Sequence, residues 1–287
     1  MLRKLLALLS LLAVPAAATA LASCGAYEPL REGVEDAADR TIDTRTADLS
    51  VEASAGIEGV PSAKIHIEGD GQMDLARNLV RLDLEAAVPG HGRRIRMEEI
   101  MTADGTVMYL RSPRTGDLPA GKEWIRIDLV KASKRLGVDP TALPQASQND
   151  PAEMLRFLRA VSDVKPVEFD RLDGVTTIHH KAKVDLKRYP DLAPAHRRAD
   201  ARRSVRRLIE LMGGRSTMPM DVWVDEAKLV RRIAMDMGMR LPGGRSMQTT
   251  FDLRFSDFGS DVDVELPADG KTIDYDDLVG AGPIATE

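Results

Sequence analysis

The chain has 287 residues, 43% of them hydrophobic and 30% charged, with 4% aromatic and a single cysteine. That balance belongs to a globular chain long enough to bury a core without disulfide staples, and it excludes collagen-like, low-complexity and multi-span membrane classes. Forty Lys and Arg against 45 Asp and Glu give a net charge of -5, so no chain-wide basic field is available to grip a nucleic acid.

Arg3 and Lys4, the apolar run 5–14 and the small residues of 16–22 form a secretory signal, too short and wrongly flanked for a spanning helix. Leu21-Ala22-Ser23-Cys24 then matches the bacterial lipobox, in which the cysteine thiol is lipidated before cleavage on its N-terminal side. The lone cysteine stands at the one position the pattern needs, and an unpaired thiol is otherwise unusual in a secreted chain. Residues 1–23 are therefore expected to be a signal peptide and Cys24 a lipid anchor, which removes Cys24 from catalysis or redox chemistry. Losing Arg3 and Lys4 leaves the mature chain at -7. Two or three acyl chains at Cys24 give stable attachment to the outer face of the cell membrane, which one chain alone does not.

Residues 24–43 read as a tether, polar and with weak helical spacing over 30–42. The period then changes to two. Leu49, Val51, Ala53, Ala55 and Ile57 alternate with polar neighbours, and the pattern recurs at Ile65 and Ile67, Val80 to Leu84, Ile95 and Met97, Val107 and Tyr109, and Ile125 and Ile127. The gaps are too short for helical crossovers, so these strands form an antiparallel meander. Helices are expected over 129–136, ending at Gly137, and over 151–161, with Asp150 as N-cap and Pro151 at the first position. Strands resume over 164–169 and 175–186 around an Asp173-Gly174 turn. An amphipathic helix then runs to Gly213-Gly214, and strands over 218–224, 229–239 and 247–255 close the domain. This predicts an α+β fold: a single large curved antiparallel sheet of about eleven strands with helices against one face.

Catalytic patterns are missing. The sequence holds no G-x-S-x-G, H-E-x-x-H, paired cysteines or G-x-G-x-x-G. The stretch 116–122 fits G-x4-G-K, but Glu123 replaces the Ser or Thr that would hold magnesium, and a strand rather than a helix follows. Asp274, Asp276 and Asp277 lack calcium-loop spacing and read as part of an acidic tail. His179 and His180, adjacent in a strand, point to opposite faces and cannot share a metal. Six arginines at 197, 198, 202, 203, 206 and 207 give the last helix a basic face, a solvated surface that on a tethered protein could also meet anionic headgroups. Met218 and Met220 share a strand face, as do Met235, Met237 and Met239, and Met247 opens the next strand. Copper(I) can bind such sites, but these rows continue with Val222, Val224, Ile233, Phe251 and Leu253. They read as an adaptable apolar surface, either ordinary core or the wall of a ligand cavity, with Trp223 packed on the opposite face.

Ordered pieces then carry a family likeness. They are Gly121-Lys122-Glu123-Trp124-Ile125, Asp128-Leu129, Asp150-Pro151, Gly174-Val175-Thr176-Thr177-Ile178-His179, and Val184-Asp185-Leu186. Pro219-Met220-Asp221-Val222-Trp223-Val224-Asp225, Leu229-Val230-Arg231-Arg232, Phe255-Ser256-Asp257-Phe258-Gly259 and Pro267 continue the series. With the lipobox, this set resembles the actinobacterial LppX/LprAFG-type lipoproteins, which have a LolA/LolB-like fold. One departure is His180, where relatives often carry tyrosine. The resemblance implies a half-barrel over 44–270 whose concave side, wrapped by helices, encloses an apolar cavity for acyl chains, followed by an acidic tail over 271–287. It implies lipid or lipoglycan binding and carriage across the envelope, no enzymatic activity, no cofactor, no metal and no nucleic acid, with a membrane transporter as a partner for transfer. The competing reading is a non-enzymatic scaffold or sensor lipoprotein with a filled interior. The cavity wall expected from the strand patterns comprises Val51, Ile65, Ile67, Leu82, Leu84 and Met220, together with Val222, Ile233, Met235, Met237, Phe251 and Leu253.

Overall fold

The computed structural model describes residues 28–77, 79–87, 94–102, 106–113, 118–119, 121–129, 131–132, 155–193, 195, 198–240 and 244–280. The signal peptide expected over 1–23, Cys24, most of the helix expected over 129–136, the start of the one expected over 151–161, and part of the G-x4-G-K stretch lie outside them.

Two meanders build the sheet. The first runs through β1 (Thr46–Ile57), β2 (Val60–Asp74), β3 (Leu79–Ala87), β4 (Arg94–Thr102), β5 (Val107–Arg111) and β6 (Trp124–Asp128). The second comprises β7 (Val161–Leu172), β8 (Val175–Asp185), β9 (Thr217–Asp225), β10 (Val230–Arg240) and β11 (Ser246–Ser256). Antiparallel pairing of β11 with β1, Val51 opposite Leu253, joins the two into one open, curved sheet, the expected half-barrel. A twelfth strand, β12 (Thr272–Asp274), pairs in parallel with β6. At the other edge β7 carries Pro166 and two register shifts, which blunt a free strand against further pairing. The Asp173-Gly174 turn has positive φ at both positions, the geometry a two-residue hairpin requires.

At Gly69 and Gly71 the backbone of β3 occupies the space a β2 side chain would need. A Cβ at Gly69 would lie 2.1 Å from the Asp83 carbonyl oxygen, and one at Gly71 would lie 2.0 Å from that of Arg81, so no side chain fits at either.

Three expectations are corrected. Residues 28–43 are not a tether: α1 (Glu28–Asp43) is a core helix, with Val34, Ala37, Ala38 and Thr41 buried. Its apolar stripe is narrow and made of small residues, which is why the sequence reads as polar. The Thr41 hydroxyl donates to the Ala37 carbonyl at 2.7 Å and accepts the Val230 N–H at 2.8 Å, fastening α1 to β10. Residues 271–280 are not a solvated tail either. Beyond β12 they form α4, after the short α2 (Tyr189–Leu192) and the longer α3 (Arg198–Leu211); α4 itself spans Tyr275–Gly280 and buries Leu278. Lys271 pairs with Glu123 at 2.9 Å and Asp274 with Arg126 at 3.0 Å, so Lys271 and Asp274 fasten this segment to the β6 edge. Third, Val161 opens β7 instead of ending a helix; the helical turn before it closes at Ala160.

Candidate functional site

Strand alternation sorts the sheet into two faces, and the pairing registers trace each across the molecule. One inner row runs Val51, Leu253, Ile233, Val222 and His180, and in the other direction Gly69, Leu84 and Met97. The next runs Ala53, Phe251, Met235 and Met220, and on the other side Ile67 and Ala86. All twelve residues expected to line a cavity share this face. They are not equally enclosed. Met220, Val222, Ile233, Met235, Met237 and Leu253 are buried in one cluster with Val34 and Ala37 of α1 and Val205 and Leu208 of α3. Leu82, Leu84 and Val51 join that cluster, and Ile67 and Phe251 pack on it half-buried. Ile65, in the first half of β2, is 38% exposed and stands toward the rim rather than in the wall.

Ten of the 13 methionines stand on this one face: Met73, Met97, Met101, Met108, Met218, Met220, Met235, Met237, Met239 and Met247. The concentration continues well beyond the three strands in which the sequence had singled it out. On β4 this face is half-buried at Met97 but buried at Met101, and on β5 and β6 it remains apolar and half-buried, at Met108, Leu110, Ile125 and Ile127.

Two titratable groups interrupt the inner face, and sequence reasoning gave neither a role. Glu99 sits between Leu82 and Leu110 in register, is 6% exposed, and its Oε1 has no hydrogen-bond partner. Burial among apolar neighbours penalises the charged form and pushes its carboxyl up to about 7. Its signal was available: a Glu at an inward position of an alternating strand. His180 lies beside Val222, is buried, and its Nδ1 is unpartnered. Burial first, and then the neighbouring His179, lower its pKa below the usual histidine value, so the neutral ring is favoured.

Between β7 and β11 the outer face is polar and paired, whereas over β3 to β6 it carries a second buried apolar cluster of Leu79, Ile100 and Trp124 with Val264. His179 stacks on Trp223 with ring centroids 4.3 Å apart, and Arg232 covers the same indole at 4.3 Å. The indole N–H donates to Asp170 at 3.0 Å, His179 Nε2 meets Asp221 at 2.6 Å, and Arg232 grips Asp252. Trp223 is thus buried on the face opposite Met220 and Val222, as the alternation predicts, and the two histidines do point apart. A groove of about 1050 Å3 also opens here, lined by Glu68, Glu85, Arg94, Arg96, Glu98 and Arg111 among others. The six named charges are paired: Arg94 bridges Glu68 and Glu85, Arg96 also meets Glu85, and Arg81 and Arg111 both hold Glu98. This is a charged surface, not the apolar cavity the sequence led us to expect. Among the described residues no cluster of three or more His, Cys, Asp or Glu could hold a metal, and no helix is long and apolar enough to cross a membrane.

No protein-family model matches the chain. An uncharacterised 31.2 kDa protein encoded in the rplA-rplJ intergenic region of Streptomyces griseus is 29% identical over 171 residues. That match takes in 58% of this chain and about half, 53%, of the relative's length. Among the solved structures to which this chain is similar are two actinobacterial lipoproteins. LppX of Mycobacterium tuberculosis is 13% identical with a TM-score of 0.45, covering 83% of this chain and 98% of that one. LprF of Mycobacterium bovis is 12% identical with a TM-score of 0.42, covering 84% and 99% respectively.

Proposed function

We propose that the chain is a lipoprotein anchored through Cys24 to the extracytoplasmic face of the cell membrane, where it takes up the acyl chains of a lipid or lipoglycan and carries them across the envelope. The supporting observation is the gathering of ten of 13 methionines on the inner face of the half-barrel. Methionine is unbranched and polarizable, so a wall made of it accepts apolar partners of varying shape. The covered part of that wall, from β8 to β11, is filled by α1 and α3. The acyl chains therefore enter over β4 to β6, where Met97, Met108, Leu110, Ile125 and Ile127 are apolar but only half-buried. An apolar surface of this extent is too costly to leave in water.

The filled interior between β8 and β11 is what favours the second reading, a scaffold or sensor without a ligand. Native mass spectrometry of the purified chain and uptake of a fluorescent acyl probe separate the two. The carrier reading expects copurified lipid, and uptake that Met108→Asp abolishes while leaving strand content intact. Absence of both bound lipid and probe uptake would establish the scaffold reading in its place. The anchor is tested separately: Cys24→Ala is expected to remove palmitate labelling and partition into the detergent phase, and unchanged partition would overturn it.

A further inference from the structure

The turns of the half-barrel are segregated by charge along its long axis. At one end lie the start of α1, the β8 exit with Lys187 and Arg188, helix α3, the β9 entry and the β10–β11 turn. Arg188 fixes the early turns of α1 to this end through Glu35 at 3.5 Å. The exposed arginines of α3, at 198, 202, 203, 206 and 207, all belong to it, and Arg215, Arg240 and Arg245 extend it. Arg215 ties the helix exit to the sheet by donating to the carbonyls of Met212 at 3.2 Å and Gly238 at 3.1 Å. The opposite end carries exposed Asp43, Asp173, Glu226, Asp257, Asp261, Asp263 and Glu265, which outnumber its exposed cations Arg40, Arg45, Arg77, Arg171 and Lys228. A chain of net charge -5 thus gathers a strong positive patch at one pole.

We propose that this basic pole is the face presented to an anionic lipid surface, with α3 lying against the headgroups and the acidic pole held away. The proposal rests on the reading of Cys24 as anchor for one of its two arguments. Glu28, the first residue of α1 and so of the basic pole, follows Cys24 by four residues, which reach at most about 14 Å. A lipid on Cys24 therefore keeps this pole within reach of the membrane. The second argument is independent of lipidation. Val205 and Leu208 commit the apolar stripe of α3 to the core, so its exposed arginines are turned away from the core toward solvent. Surface ion pairs such as Arg202 with Asp191 and Arg207 with Glu210 are weak and exchange readily for a field of anionic headgroups.

The test uses the full chain carrying Cys24→Ser, so that no acyl anchor contributes, floated with vesicles of phosphatidylcholine alone or mixed with phosphatidylglycerol. Binding is expected on the anionic vesicles only and is lost in high salt. Adding Arg206→Glu and Arg207→Glu should weaken it by about tenfold or more, given the strength of basic residues at an anionic surface. Arg45→Glu with Lys228→Glu makes the same change in net charge at the acidic pole and should leave binding unaltered. Both double variants alter exposed side chains, and their thermal transitions verify folding. Equal partition onto both vesicle types, or equal weakening by the two double variants, would overturn the proposal. Failure of palmitate labelling of the wild-type chain would instead remove the anchor and leave the vesicle result to stand by itself.

Discussion

Between β8 and β11 the inner face is closed under α1 and α3, whereas between β4 and β6 the same alternation leaves Met97, Met108, Leu110, Ile125 and Ile127 half-buried. The strands of both regions follow one sequence rule, an apolar residue at every second position. Their different fates depend on what lies over them. A face covered by helices becomes core, where each methylene contributes to stability; a face left partly open keeps its apolar surface for another partner. The teaching is that amphipathic alternation identifies a wall and not its use.

The largest expected effect comes from the closed region. Ile233, fully buried between Val222 and Leu253, should cost about 4 kcal/mol on truncation to alanine, read from denaturant midpoints. A loss below about 1 kcal/mol would mean that the helices do not pack there as described.

On the reverse side of the same sheet, Trp223→Ala removes an indole held between His179 and Arg232 and its bond to Asp170. A loss of about 3 kcal/mol is expected, and unaltered thermal stability would contradict its burial.

Glu99 tests the partly open region by pH. Its carboxyl is raised from 4.5 to about 7 in the folded chain, so the native state binds the proton more tightly than the unfolded state does. Its contribution to stability is then full below the unfolded value and is lost as pH rises through about 7. At pH 8 the wild type should be less stable than at pH 4.5 by a term of about 3 kcal/mol from this residue. His180 acts in the opposite direction, since its lowered pKa withdraws stability as pH falls below the ordinary histidine value. Subtracting the Glu99→Gln curve from the wild-type curve isolates the carboxyl. A difference that does not change between pH 4.5 and 8 would show Glu99 to be solvated.

The smallest effect on stability, and the sharpest contrast with Ile233, is expected at Leu110. Half-buried opposite Glu99 and Ile125, it should lose only about 1 kcal/mol as Leu110→Ala while weakening uptake of the acyl probe. Equal destabilisation by the Ile233 and Leu110 substitutions would erase the distinction between the two regions.

All eleven strands that the alternation implied are present, because a side-chain period of two leaves only one register that hides Leu49, Val51, Leu82 and Ile233 together. The glycine pair ending the basic helix, at 213 and 214, and the Asp173-Gly174 turn were equally legible, since each needs a backbone conformation that few residues tolerate. The identity of the inner wall and the outward setting of Trp223 followed from parity alone.

What the sequence could not supply is where distant segments meet. Helix α1 reads as polar because its buried stripe is only Val34, Ala37, Ala38 and Thr41; its place in the core depends on β7, β9 and β10 arriving from the other end of the chain. The last strand is three residues long and exists because β6 offers it an unpaired edge. Glu99 was visible as a carboxylate at an inward position, yet its lack of a partner follows from Leu82 and Leu110 standing on either side. The poles of charge likewise came into view only when antiparallel pairing brought the α3 arginines beside Arg240 and Arg245. Local period and turn chemistry act within a few residues and are written in order along the chain. Burial, proton affinity and surface field are sums over neighbours in space, and only the fold selects those neighbours.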